Sequence, residues 1–276
     1  MLPADFQLSE GELDFLVAAA APEVSDRIRL QRLVEADDDF RHAFIGDEKT
    51  FRKVMADEEI FLKISPRLYF EILLRKARRE LEDAGHTIER EGTGKVAVFD
   101  TGEVVKLLSH REVIPYLADM LASFTKVESY TVAYRIRAGI WRRIRFSDLD
   151  LDSLMRLCQS VDEEHRLGFF KRIGDICLFL LGLFPEYVDY TYRYPSSGEL
   201  RPQIIGFMRR SAEEYREAGR KFYGLAAEHP AAREFALSDI FRLLHEKFRA
   251  ALKPLNFIAD HYLHSRRQNL FGLEPR

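Results

Sequence analysis

From Tyr130 to Phe146 the chain reads YTVAYRIRAGIWRRIRF, a stretch whose period-two alternation and single glycine admit few shapes. Tyr130, Val132, Tyr134 and Ile136 fall on one face of a first strand, and Ile140, Ile144 and Phe146 on one face of a second. Two registers can join them. A two-residue loop at Ala138-Gly139 sets Ile136 against Trp141 and mixes aliphatic side chains with arginine on both faces. A three-residue loop, Arg137-Ala138-Gly139, sets Ile136 against Ile140, Tyr134 against Arg142, Val132 against Ile144 and Tyr130 against Phe146. One face is then almost wholly apolar, and Gly139 occupies the left-handed position that follows a type I turn. Because a one-residue slip turns every side chain over, turn chemistry and hydrophobic register together predict the longer loop. Thr131, Ala133, Arg135, Trp141, Arg143 and Arg145 then share the other face.

Helical patterns dominate the remainder of the 276 residues, enough chain for one large or two to three smaller domains. With 32% charged and 46% hydrophobic residues, long disorder is excluded. Lys+Arg 42 against Asp+Glu 45 gives a net charge of -3, so any attraction to phosphate must come from a local patch. Cys158 and Cys177 sit in apolar helical contexts without a Cys-x-x-Cys pair and are expected to be free buried thiols in a reducing cytosol. The acidic N-terminal stretch carries no apparent export signal, and the most apolar run, Ile176 to Phe184, falls far short of the ~20 residues that span a bilayer. A cytoplasmic protein with no membrane association is expected.

Taken in order, Ser9 caps a helix to Ala21 and Ser25 a second carrying Ile28, Leu30, Leu33 and Val34, followed by short helices over 37–44 and 47–55. These N-terminal helices are read as packing elements. Ser65-Pro66 opens a long helix from Arg67 to about Asp83, with Arg75, Lys76, Arg78 and Arg79 as a solvated basic face and Gly85 as its stop. A hairpin over 86–90 and 95–99 comes next, then helices over 103–108 and 111–124. Its Gly92-Thr93-Gly94 is no phosphate loop, because Lys95 begins a strand instead of opening a helix. Ser147 is read as the cap of a helix over about 148–164. An apolar helix over 166–184 and a Tyr-rich, Pro-Ser-Ser-Gly-containing loop over 186–202 follow. Three further helices, over 204–229, 238–252 and 254–269, are punctuated by Pro230 and Pro254. The expected fold is mainly α, a multi-helix bundle with a small antiparallel β element in the middle of the chain. The expected domains are an N-terminal helical segment (1–63), a central α+β element (64–147) and a C-terminal helical bundle (148–276).

From Arg67 to Phe146 the element order is helix, strand pair, short helix, helix, strand, tight loop, strand. That order resembles a winged helix, whose final loop is the wing. The resemblance implies nucleic-acid contact. The helix in the recognition position carries Glu112, Pro115 and Asp119 and only Arg111 as a cation, so the wing is expected to contribute more than the helix.

Four constellations bear on chemistry. Arg135, Arg137, Trp141, Arg143 and Arg145 would suit phosphate contacts with an aromatic for stacking, or a protein partner, or an Arg135–Trp141 cation–π pair that is purely structural. His261 and His264, with His245 from the preceding helix, are the histidines a zinc or iron ion would accept. No Glu-x-x-His pair recurs and no His-Glu-x-x-His occurs, so no metal and no cofactor is expected. Asp162-Glu163-Glu164-His165 offers an acid and a base at a helix junction, and Asp148, Asp150 and Asp152 read as first-turn carboxylates facing a helix dipole. The expectation is a non-enzymatic binding or regulatory protein, a helical scaffold for a protein partner. Nucleic-acid binding through the hairpin is the alternative, a metal-dependent helical enzyme the third reading, and self-association stays open.

Overall fold

The structure is a computed structural model describing residues 7–91, 94–98, 100–125, 129–137, 140–147, 150–185, 188, 210–264 and 266–271. The side chains of residues 88–97, 126–147, 268 and 269 lie outside that description. The protein is mainly helical and divides into two packed units, Met1–Ala122 with Lys253–His264, and Ser123–Leu252 with Ser265–Arg276.

In the first unit, helix α1 (Glu10–Ala20) starts at a capping box in which the Ser9 hydroxyl accepts from the Glu12 N–H and the Glu12 carboxylate accepts from the Ser9 N–H. Helix α2 (Arg27–Ala36) begins at Asp26 and not at the expected Ser25. The Asp26 carboxylate accepts from the Arg29 N–H at 3.0 Å, so the acidic side chain takes the cap. Asp37 and Asp47 cap α3 (Asp38–Ile45) and α4 (Glu48–Ala56). Val34 and Leu30 of α2 pack on Leu13 and Val17 of α1.

Helix α5 (Pro66–Ala84) has Ser65 as N-cap, proline in its first turn, and Gly85 at φ 69° as its left-handed stop. Every residue from Leu68 to Leu74 is buried. Seven consecutive positions cover all sides of a helix, so α5 is surrounded and forms the centre of its unit. The basic run is not the solvated face expected of it: Arg75, Lys76 and Arg78 are half-buried and only Arg79 is exposed. Glu71, 3% exposed, explains this in part, since it takes Arg67 from one turn before and Arg75 from one turn after. Strands β1 (Thr87–Glu91) and β2 (Gly94–Val98), then α6 (Thr101–Ser109) and α7 (Val113–Phe124), follow.

Strands β3 (Ser129–Arg137) and β4 (Ile140–Ser147) open the second unit. Among the described residues the sheets are two separate two-stranded antiparallel hairpins, one in each unit, so the two expected hairpins do not join in one central β element. Helix α8 (Leu151–Ser160) starts at Asp150, whose carboxylate accepts from the Ser153 N–H, because Ser147 is still in β4; the helix is also shorter than expected, ending before a 3-10 turn at Glu163–His165.

Helices α9 (Leu167–Leu183), α10 (Ala212–Glu228), α11 (Pro230–Glu234) and α12 (Ser238–Glu246) complete the described core of this unit. Helix α9 is buried at every position from Ile173 to Leu183. Two glycines let α10 approach it: a Cβ on Gly174 would stand 2.9 Å from the Tyr223 ring, and one on Gly219 would stand 3.0 Å from the Cys177 Cβ, besides overlapping the Phe248 ring. Helix α13 (Phe248–His261) contains Pro254 in its interior, correcting the expected break there; the break falls at Lys247 instead. Proline inside a helix forfeits one N–H and crowds the preceding turn. Burial of Ala251, Leu255, Ile258 and Ala259 offsets that cost. The last described element is α14 (Arg267–Phe271).

The α11–α12 link holds the one non-glycine residue with positive φ among those described, Ala236 at 54°. The Leu237 N–H bonds the Ala232 carbonyl and the Ala236 N–H the Arg233 carbonyl, the paired bonds of a Schellman stop, in which glycine is the usual left-handed residue. Ala236 is exposed, so deleting its methyl loses no packing. Ala236→Gly should therefore stabilise the protein by about 0.5–1 kcal/mol, the left-handed penalty less the added chain entropy. A lower urea midpoint for the variant would refute this.

Candidate functional site

The hairpin of β3 and β4 pairs Tyr130 with Phe146, Thr131 with Arg145, Val132 with Ile144, Ala133 with Arg143, Tyr134 with Arg142 and Arg135 with Trp141. At the tip Arg137, not Ile136, stands opposite Ile140, with a register shift between Arg135 and Arg137. The odd residue is thus absorbed as a bulge in β3 and not as the third residue of the loop, which keeps the lower strands in phase. Residues 138 and 139 lie outside the described residues. By register, Arg135, Trp141, Arg143 and Arg145 occupy one face with Thr131 and Ala133. The side chains of all of these, and of Arg137, lie outside the described residues, so their backbone positions are what the structure gives.

The three candidate histidines have ordinary surroundings. His245 Nδ1 lies 2.7 Å from the Arg220 carbonyl, which can only accept, so that nitrogen carries the proton. His261 Nδ1 lies 2.9 Å from the Phe257 carbonyl one turn back, with its ring stacked on Phe257 at 4.1 Å. His264 is exposed. Among the described residues, no three His, Cys, Asp or Glu side chains gather where a metal ion could sit. At the junction of α8 and α9, His165 Nε2 lies 3.5 Å from Glu164, and both side chains are largely exposed, so water screens whatever each does to the other. Asp152 is paired with Arg210. Cys158 and Cys177 are free and buried. Burial raises both thiols, that of Cys177 to about 12, which leaves it protonated and unreactive near neutral pH.

Sequence reasoning missed a set of buried charges whose partners lie far along the chain. In the first unit the Thr87 hydroxyl donates to Asp100 at 2.6 Å and accepts from Lys253 Nζ at 3.1 Å, and Lys253 also pairs with Asp100. Asp100 stands at the start of α6 yet makes no cap there, because its carboxylate is committed to that pair. Glu12 accepts from the N–H and hydroxyl of Ser9 and, through its other oxygen, from the N–H and hydroxyl of Ser65 at 3.0 and 2.6 Å, so one carboxylate ties the start of α1 to the start of α5. In the second unit Asp175, fully buried, accepts from Tyr223 at 2.8 Å and pairs with Lys171 at 2.5 Å. Each is a satisfied network whose geometry suits holding helices together.

Also missed were the apolar side chains that α2 leaves in solvent. Of its residues only Val34 is buried, while Ile28 is 65% and Leu33 41% exposed, with Val24 and Phe40 exposed on either side. For Ile28 the signal was present in the spacing. Leu30 and Val34, four apart, form the inward stripe and Ile28 falls on the opposite side, whereas Leu33, three after Leu30, lies at the edge of that stripe and its exposure is a finding of the structure. Arg27, Arg29 and Arg32 are exposed on the same helix.

No family model, curated protein or solved structure matches the chain. No helix among the described residues is long and apolar enough to cross a membrane.

Proposed function

We propose that this protein acts by binding, as a helical scaffold that engages a protein partner through α2 and its flanks. The observation that carries the reading is the exposure of Ile28 and Leu33 among Arg27, Arg29 and Arg32 on a helix that anchors itself by one buried residue. Burial of an aliphatic side chain is worth about 1.5–3 kcal/mol, so covering both would reward a partner whose surface is apolar with an acidic rim. In the test, wild type and Ile28→Asp/Leu33→Asp are used as baits, and each protein held by the wild type is purified and titrated against both by calorimetry. The double variant should keep the wild-type thermal midpoint and lose roughly tenfold or more in affinity. Equal affinities would sink the α2 reading.

A second reading is nucleic-acid binding, with the β3–β4 hairpin as the wing of a winged-helix-like order. It is favoured by the register that aligns Arg135, Trp141, Arg143 and Arg145 on one face. Under this reading Arg143→Glu/Arg145→Glu lowers the slope of log affinity against log salt by about 2 for duplex or single-stranded probes. An unchanged slope would dispose of it. The metal-dependent reading has no observation in its favour.

A further inference from the structure

The last described element, α14, is five residues long, too short to be helical by its own propensity. It is held by two side chains one turn apart. The Arg267 guanidinium donates to the Leu183 carbonyl, one of the last carbonyls of α9, and lies over the Phe184 ring with its carbon 4.9 Å from the centroid. Phe271, 2% exposed, stands edge-on to Phe179 at 5.0 Å and to Phe184 at 5.9 Å. Behind them Phe124 stacks on Phe179 at 4.1 Å, which fixes the floor of the seat. The C-terminal end of α9 therefore presents a cation-accepting carbonyl beside an aromatic slot, spaced to take an arginine and a phenylalanine four residues apart on one helix.

We propose that this seat is a binding site for a short helix of the form Arg-x-x-x-Phe, filled in cis by the chain's own Arg267–Phe271 and open in trans to the same segment of a second copy. A second copy is the occupant to which the chemistry is already fitted, and exchange of an identical element between copies is a low-cost route to self-association. In cis the tether supplies an effective concentration in the millimolar range, so a free segment competes poorly until the resident one is weakened. The inference does not depend on what α2 binds.

The test uses a fluorescent synthetic peptide of residues 263–276 and full-length protein, read by anisotropy. The double variant Arg267→Ala/Phe271→Ala, whose resident segment no longer holds the seat, should bind the peptide at least tenfold more tightly than wild type. A peptide carrying the Phe271→Ala change should bind neither. Should the double variant fold poorly by circular dichroism, Arg267→Ala alone, which keeps the buried ring, makes the same comparison with a smaller but same-signed gain. Peptide affinity equal in variant and wild type, or absent from both, overturns the proposal.

Discussion

Asp175→Ala should lower stability by about 3–5 kcal/mol, the largest loss expected from any single substitution considered for this protein. Asp175 is fully buried in α9, so alanine there removes an acceptor of the Tyr223 hydroxyl and a carboxylate that pairs with the Lys171 ammonium, itself 11% exposed. Removing one partner of a buried pair costs more than the pair contributes, because the survivor keeps its desolvation penalty. Tyr223→Phe is the graded companion. It deletes one hydroxyl while keeping the ring that packs over Gly174, and should cost about 1–1.5 kcal/mol. Urea unfolding followed by circular dichroism measures both, and an Asp175→Ala loss no larger than that of Tyr223→Phe would mean that Lys171 is not held by this carboxylate.

The second large effect belongs to Glu12. Its two oxygens each accept from a serine N–H and hydroxyl, Ser9 on one side and Ser65 on the other. In Glu12→Gln, whichever way the amide is turned, its NH2 faces a backbone donor, and the loss should be about 2–3 kcal/mol near neutral pH. Burial opposes ionisation of Glu12, yet the bonds from Ser65 and Ser9 outweigh it and hold the carboxyl below its ordinary value of 4.5. A carboxyl depressed in the folded state stabilises the fold above its unfolded pKa and ceases to do so as pH falls through the folded one. The gap between wild type and Glu12→Gln should therefore be flat above about pH 5 and close progressively below it. A gap independent of pH down to acid unfolding would contradict this account of Glu12.

Both residues show where local reading of the sequence stops. Helix α5 was legible because its signals are adjacent in the chain: Ser65-Pro66 at the start, Gly85 at the end, apolar residues at helical spacing between. The capping of α1 was legible for the same reason. Glu12 reads as no more than the third residue of a capping box, since Ser65 is 53 positions away. Asp175 reads as an anomaly in an apolar run until Tyr223, 48 positions on, supplies its partner. Asp100 has no local sign of its partner, since Lys253, 153 positions distant, takes its carboxylate. In the hairpin, hydrophobic alternation fixes the phase of the strands but does not say whether an odd residue enters the loop or a bulge, since both leave the lower faces unchanged. The expected break at Pro254 failed because tertiary burial outweighed a local penalty. Ile28 lies two positions before Leu30, so spacing alone turns it outward, whereas Leu33, three after Leu30, shares the edge of the inward stripe and its exposure depends on what packs against α2.

What the full-length protein carries with it when purified at low ionic strength tests the binding account most directly. The scaffold reading predicts a protein companion in fixed stoichiometry, absent from preparations of Ile28→Asp/Leu33→Asp, and an ultraviolet absorbance ratio of protein alone. Nucleic acid that co-purifies, elutes with salt, and is lost in Arg143→Glu/Arg145→Glu would contradict it and move the function from α2 to the hairpin.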